Sequence, residues 1–348
     1  MSLKAQELAD TLRAFEQHGT KAGAAKALGV SEPTVKYRLD RLAELDIGEA
    51  GMVYHEAKDG FAAPVLPGGE MPTDELIEFM TSNYRKRREA EKARKPIPIK
   101  MTDDQPVGLM FYGDPHVDSP QCDWPELRRC VAICQMTEGM RGVSLGDHTD
   151  NWIGRLQAEY GNSNATTKQA WQLADWFISS IDPLLIIKGN HDAWSGSGDP
   201  LEYIRGPGNI YENWQAMVEL LWPNGKRAIL DVRHDHPGGS QWHPLHGQVK
   251  EARYNKSGLS ADIYIAGHRH TWGMMTTEMQ GRVVHMCRAK GFKGHGEYEE
   301  VKGFEAQHLG HTITAVFDPD PVSDTGFISV FAEPQEAAEF LTYKRSRP

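Results

Sequence analysis

Apolar and polar positions follow two different rhythms along this chain, and the change falls near residue 107. From Leu3 to His18, Leu8, Leu12 and Phe15 recur at helical spacing, and His18-Gly19 stops the run. Thr20 is placed to cap a second, alanine-rich helix over Lys21–Leu28. Gly29 then makes the turn, Val30 packs inward, and Ser31 caps a third helix with Pro33 in its first turn. In that helix Val35, Leu39 and Leu42 form the inner stripe, while Lys36, Tyr37, Arg38 and Arg41 face outward. Residues 49–70, rich in glycine and proline, read as a hairpin or a loose connector. Pro72-Thr73-Asp74 opens a further helix through Leu76, Phe79 and Met80. It runs on into YRKRREAEKARK until Pro96 and Pro98 end it.

From Val107 onward, short apolar strands alternate with helical segments. The strands read as Val107–Tyr112, Gly142–Leu145, Leu184–Ile187, Ala228–Val232, Ile263–Ala266, Val283–Met286 and Thr312–Phe317, with helices over Glu126–Thr137 and Ala170–Ser179 among them. Leu184–Ile187 has no polar break, as a strand buried on both faces would. The pattern predicts an α/β layered domain. Glu333–Pro348 reads as a polar tail with a basic end.

Each of the first five of these strands is followed at once by metal-binding groups. They are Asp114 and His116, then Asp147, then Asn190, His191 and Asp192, then His234 and His236, then His268 and His270. Open α/β sheets place ligands at the C-terminal ends of their strands, so these side chains are expected to converge. Mixed imidazole and carboxylate donors without thiolates suit ions such as Mn, Fe, Zn or Ni. A pair of such ions can share an oxygen ligand, activate a water and hold phosphoryl oxygens.

The ordered set DxH, GD, GNH[DE], H and GHxH resembles the calcineurin-like metallophosphoesterases, and the likeness spans about residues 107–318. The resemblance implies two stacked sheets flanked by helices and two divalent transition metal ions, manganese first, at the strand ends. Carried over by motif, Asp114, His116 and His270 would bind one ion and Asn190, His234 and His268 the other, with Asp147 bridging. His191 would stabilise developing charge or protonate the leaving oxygen, with Asp192 orienting its ring. In the fourth segment His234 fits better than His236. Asp150 and Asn151 read as caps of a following helix rather than as site residues. Arg269, Arg288 and Lys290 fall near the expected phosphate, where surface charge explains them equally well.

AAKALGVSEPTVKYRLDRL resembles the bacterial helix-turn-helix, whose third helix enters the major groove. On that likeness Lys36, Tyr37, Arg38 and Arg41 would meet DNA, with a homodimer expected because one copy binds weakly; a trihelical module for protein contact is the other reading. Arg85, Lys86, Arg87 and Arg88 read either as a solvated helix face or as a phosphate-backbone contact. The expected domains are 1–48, a connector and basic helix over 49–100, the α/β domain over 101–333, and the tail.

Composition narrows the classes further. A net charge of −10 over 348 residues argues against a surface that binds nucleic acid everywhere, so any such contact is local. No apolar run approaches the roughly 20 residues that span a bilayer. The four cysteines form no metal-binding spacing, which fits reduced thiols in a cytosol. Three functions stand: a phosphodiesterase on DNA, similar to the nuclease branch and to phage or prophage phosphoesterases; a phosphomonoesterase on nucleotides or phosphoproteins; and a DNA-binding regulator with a phosphoesterase scaffold.

Overall fold

The computed structural model describes residues 5–43, 46–47, 53–55, 59–64, 71–93, 95–193, 199–240, 243–254, 258–279, 281–294 and 307–347. They form two compact units, residues 1–92 and 93–348.

The first unit begins with three helices, α1 (Ala5–His18), α2 (Lys21–Leu28) and α3 (Glu32–Ala43). Their small core of Ala14, Ala24, Ala25 and Val35 is sealed by Phe15, Leu28, Val30 and Leu39. Thr20 Oγ1 accepts the Gly23 N–H at 3.0 Å and Ser31 Oγ that of Thr34 at 3.3 Å, so both expected caps form. Gly29 closes α2 at φ 67°, a left-handed conformation that costs a glycine nothing. Two short strands, β1 (Asp46–Ile47) at the end of the expected first domain and β2 (Val53–Tyr54) in the connector, pair antiparallel, and most of the connector lies outside the described residues. Helix α4 (Thr73–Ala93) carries the basic run.

The second unit is a sandwich of two six-stranded sheets. One contains β4 (Val107–Tyr112), β5 (Met140–Ser144), β6 (Leu185–Lys188), β7 (Ile210–Asn213), β13 (Thr312–Phe317) and β14 (Ile328–Phe331), in the order β14-β13-β4-β5-β6-β7. The other contains β3 (Ile97–Lys100), β8 (Gln215–Leu221), β9 (Arg227–Arg233), β10 (Ile263–Ala266), β11 (Gly273–Met279) and β12 (Arg282–Arg288), in the order β11-β12-β10-β9-β8-β3. Strands β4 to β7 run parallel, as do β9, β10 and β12.

Strand alternation builds the layers. Leu109, Phe111, Leu185 and Ile187 point between the sheets to meet Val218, Leu230, Val232 and Ile265. Met110 and Tyr112 point the other way, onto helices α5 (Trp124–Met136) and α6 (Thr167–Ile181). Ile186 packs on Ile178 and Leu201, the latter in α8 (Pro200–Ile204), which follows the single turn α7 (Asn190–Ala193), so the uninterrupted apolar run is buried on both faces as expected. Ile229, Tyr264 and Met286 form the outer face of the second sheet with Ala252 of α9 (His246–Tyr254).

Two sequence boundaries are corrected. Residues 97–100 pair with β8 as an edge strand, so the sandwich begins before residue 101. The supposed tail is helix α10 (Pro334–Arg345), whose Ala337, Ala338 and Leu341 are buried on the first sheet's outer face.

Candidate metal centre

Five strand ends deliver the site. The loop after β4 is laced to the loop after β5: Asp114 N–H donates to Gly146 O at 2.9 Å, His116 N–H to Asp147 O at 3.2 Å, and Val117 N–H to His148 O at 3.0 Å. Gly146, at φ 99°, allows the next close approach, since a Cβ there would sit 2.7 Å from the Cα of Gly189. Five candidate ligand positions, Asp114, His116, Asp147, His268 and His270, hold left-handed backbone with φ between 38° and 69°. Such strain in bulky residues persists only where surrounding structure enforces it, and it concentrates at functional sites.

The side chains converge as the motif order predicted. Asp114, His116 and His270 form one group and Asp147, His234 and His268 another; within each, candidate ligand atoms lie within 4.8 Å of one another. Asn190 Oδ1 joins the second group, 2.9 Å from His234 Nε2, which is also 3.3 Å from Asp147 Oδ2. Ring orientations are fixed from behind. His234 Nδ1 donates to the Leu145 carbonyl at 2.7 Å, and His116 Nδ1 lies 2.9 Å from Asp150 Oδ1, so in both rings Nε2 is the nitrogen turned inward. Asp114 Oδ1, His116 Nε2 and His268 Nδ1 are buried without a hydrogen-bond partner, which is how groups destined for a cation are left by the protein's own bonds. The donor set and these orphaned atoms fit two divalent ions.

Burial and mutual charge set the titration of the metal-free cluster. Burial raises Asp114 well above the carboxylate range, with the imidazolium of His234 opposing. Burial would also raise Asp147, but the charge and hydrogen bond of His234 overcome it and hold it low. Burial would depress His234, but Asp147 pushes it up to about 10. Burial and the charge of His234 push His268 down to about 4.

His191 sits beside His116 and Asp147 as a third possible donor group. Its backbone N–H donates to Asp147 Oδ1 at 2.8 Å, and its ring Nδ1 donates to the Asp150 carbonyl. This corrects the role expected of Asp192. That carboxylate accepts the N–H groups of Asp147 (2.7 Å), His148 (3.0 Å) and Gly189 (2.9 Å), and faces His148 Nδ1 at 3.2 Å. It anchors the two loops and does not orient the His191 ring.

His236 is not at the cluster: its ring is fully buried behind β9, 3.6 Å from Asp231. Asp150 does not cap a helix, because its carboxylate is taken by His116 and by Lys293 Nζ at 3.1 Å; Asn151 Nδ2 donates to His191 O at 2.7 Å. Arg288 is no phosphate ligand, being fully buried and paired at 2.9 Å with Asp235, which also holds Arg269. Lys290 is buried too. The residues missed by sequence reasoning are His148, Lys293, Trp152, whose ring packs edge-on against His191 at 5.0 Å, and Trp214, beside His234. A buried carboxylate's backbone partners leave no local sequence signal.

In the first unit Lys36, Tyr37 and Arg41 are exposed, whereas Arg38 leans back toward Thr11, 3.5 Å away, and is half-buried. Arg85, Lys86, Arg87 and Arg88 are all exposed on α4, and Arg88 pairs with Glu91 at 3.0 Å.

Two mixed sheets with a histidine and carboxylate cluster at their strand ends define an α/β sandwich with a candidate dinuclear metal centre, preceded by a helix-turn-helix region. Residues 8–45 match the family model of the PucR C-terminal helix-turn-helix domain. No curated protein matches the chain. Solved structures similar to it include vacuolar protein sorting 29 from Cryptosporidium parvum, 12% identical with TM-score 0.33 over 66% of this chain and 100% of that one. A predicted phosphoesterase from Streptococcus pneumoniae is 11% identical with TM-score 0.30 over 66% and 98%. The calcineurin-like phosphoesterase YfkN from Bacillus subtilis is 11% identical with TM-score 0.29 over 70% and 99%. None of the three is described as a nuclease or a phage protein. At such scores these likenesses add nothing to the fold, which rests on the sheets themselves. Among the described residues no helix is long and apolar enough to cross a membrane, and the four cysteines are free and buried.

Proposed function

We propose that this protein is a dinuclear-metal-dependent phosphoric ester hydrolase whose substrate is a DNA phosphodiester. The observation that carries the reading is the convergence of two donor groups, Asp114, His116 and His270 on one side and Asp147, His234 and His268 on the other. Asn190 completes the second group, and Asp147 stands where it can serve both ions. Two ions, manganese first with iron, zinc or nickel as alternatives, would supply Lewis acidity and a nucleophilic water.

The chain's own residues do the rest. Asp192 fixes the Asp147 and Gly189 backbones, and so the spacing of the two groups. Asp150 holds His116 through its carboxylate and His191 through its carbonyl, linking a ligand to the proposed proton donor. A carbonyl can only accept, so Nδ1 of His191 carries its proton and Nε2 is the nitrogen that would exchange one with the leaving oxygen.

DNA is the favoured substrate because residues 8–45 match a helix-turn-helix family and because α4 exposes four consecutive cations. Lys36, Tyr37 and Arg41 would approach the groove, with Arg38 turned back toward Thr11, while Arg85, Lys86, Arg87 and Arg88 follow phosphates, raising the local concentration of substrate at the metals. A helix-turn-helix normally reads paired half-sites, so we expect a homodimer on DNA. The match to a PucR-type domain favours a second reading, a DNA-binding regulator whose sandwich senses a phosphate compound.

The test compares duplex DNA, a small synthetic diester and a monoester as substrates, with added Mn²⁺. Changing Arg85, Lys86, Arg87 and Arg88 to alanine should slow DNA cleavage, flatten its salt dependence and leave the small diester untouched. An unchanged ratio of DNA to small-diester activity would favour the monoesterase. Absence of turnover on all three substrates in metal-loaded protein would favour the regulator.

A further inference from the structure

Strand β7 ends at Asn213 in one sheet and β8 begins at Gln215 in the other, so Trp214 is the single residue by which the chain passes between sheets. That passage imposes φ 61°, the left-handed region where glycine or asparagine is at ease and a bulky side chain is an outlier. The indole gains little burial in return, since it is 48% exposed. Its position is nevertheless fixed. The Trp214 carbonyl accepts the N–H of His234 at 2.9 Å, and the two ring centroids lie 6.3 Å apart at 58°. A strained backbone therefore presents a half-exposed indole beside a candidate metal ligand. Neither the metal centre nor the core explains why tryptophan stands there.

We propose that Trp214 is a specificity-determining residue that stacks a nucleobase of the substrate while the adjoining phosphate sits at the metals. The inference rests on the phosphodiesterase reading and adds a substrate feature to it. A nucleotide places its base one sugar away from the phosphorus, and every base offers a π face whatever its sequence. An indole beside His234 can then hold single-stranded or terminal nucleotides without reading them. Trp152, the other indole at the cluster among the described residues, is differently placed: it packs edge-on against His191 and lies beneath Lys293 Nζ, 4.9 Å from its ring centre. Trp214 has no such cation over it among the described residues, which leaves its face to a ligand.

The test uses the full chain with Mn²⁺ and measures inhibition of small-diester hydrolysis by a thymidine tetranucleotide and by an abasic tetramer with the same phosphates. Trp214→Gly removes the ring and relieves the left-handed strain, and Trp214→Phe keeps a stacking face. The glycine variant should raise the inhibition constant of the thymidine tetramer about 5- to 150-fold, the scale of one stacked base. It should leave the abasic tetramer unchanged, and the phenylalanine variant should stay near wild type. Binding of the two tetramers by titration calorimetry should show the same difference without turnover. Equal inhibition constants for the thymidine tetramer in wild type and the glycine variant would overturn the inference, as would a parallel loss for both tetramers, which would point to the sugar or to a displaced His234. Failure of wild type to cut DNA while the base-dependent difference persists would remove the DNA reading and leave the stacking role standing.

Discussion

Replacing Asp192 separates two accounts of the GNHD segment. Its side chain is 1% exposed, and its two oxygens take three backbone N–H groups and one imidazole nitrogen. Asp192→Ala would leave three buried donors without acceptors at about 1–3 kcal/mol each, so about 3–9 kcal/mol, a large share of the roughly 5–15 kcal/mol that stabilises a domain. Asp192→Asn is milder. An amide nitrogen turned toward His148 would oppose one backbone donor and one ring nitrogen, whereas turned toward Asp147 and Gly189 it would oppose two backbone donors. The first orientation costs less, about 1–3 kcal/mol for the one backbone donor left unmet, because the neutral His148 ring can turn an unprotonated Nδ1 to the amide. Because the freed backbone is that of His148 in the asparagine variant, next to Asp147, and also those of Asp147 and Gly189 in the alanine variant, the loss should be shared with metal affinity. The assay pairs chemical denaturation of the metal-free protein with metal content after dialysis. Both variants should be destabilised, alanine more than asparagine, and both should lose metal. A stable asparagine variant with full metal content and slow turnover would refute this reasoning and restore Asp192 as the residue that orients His191.

Other outcomes follow from the same geometry. His191→Ala should keep both ions and lower turnover about 100-fold or more, the scale of losing a proton donor or charge stabiliser, whereas Asp147→Ala should lose metal; equal metal loss would erase that division of roles. In metal-free protein burial favours neutral His234, but Asp147 outweighs it and raises the imidazole to about 10, so an ion must displace a proton at neutral pH. Metal affinity should therefore climb as pH rises toward 10, and adding Mn²⁺ to weakly buffered protein should acidify the solution; no acidification would mean that His234 does not hold its proton until the ion arrives.

The convergence at the candidate site was legible in the sequence because its candidate ligands sit within a few residues of apolar strand ends, where position along the chain predicts position in space. The strands that escaped notice are those whose pattern is diluted. Met274, Thr276 and Glu278 or their neighbours alternate outward along β11, an edge strand with one solvated face, and β3 contains Pro98, which reads as a helix terminator but is tolerated on an edge. Helix α10 could have been found: Pro334 in its first turn and the stripe Ala337, Ala338 and Leu341 are ordinary helix signals, masked by the surrounding charges. The work of Asp150 and Asp192 could not be found, because it is done with backbone groups and side chains from other loops. Trp214 is a further case, since its left-handed backbone is imposed by the passage between sheets and not by its neighbours in sequence.

Metal stoichiometry tests the central claim most directly. Purified protein of residues 1–348, saturated with Mn²⁺ and freed of excess, should hold two ions per chain by elemental analysis. Its paramagnetic resonance spectrum should show two manganese ions coupled through a shared ligand, and hydrolysis of a phosphodiester should vanish on chelation and return on reloading. Folded protein that binds one ion or none under these conditions would contradict the dinuclear centre built from Asp114, His116, Asp147, Asn190, His234, His268 and His270.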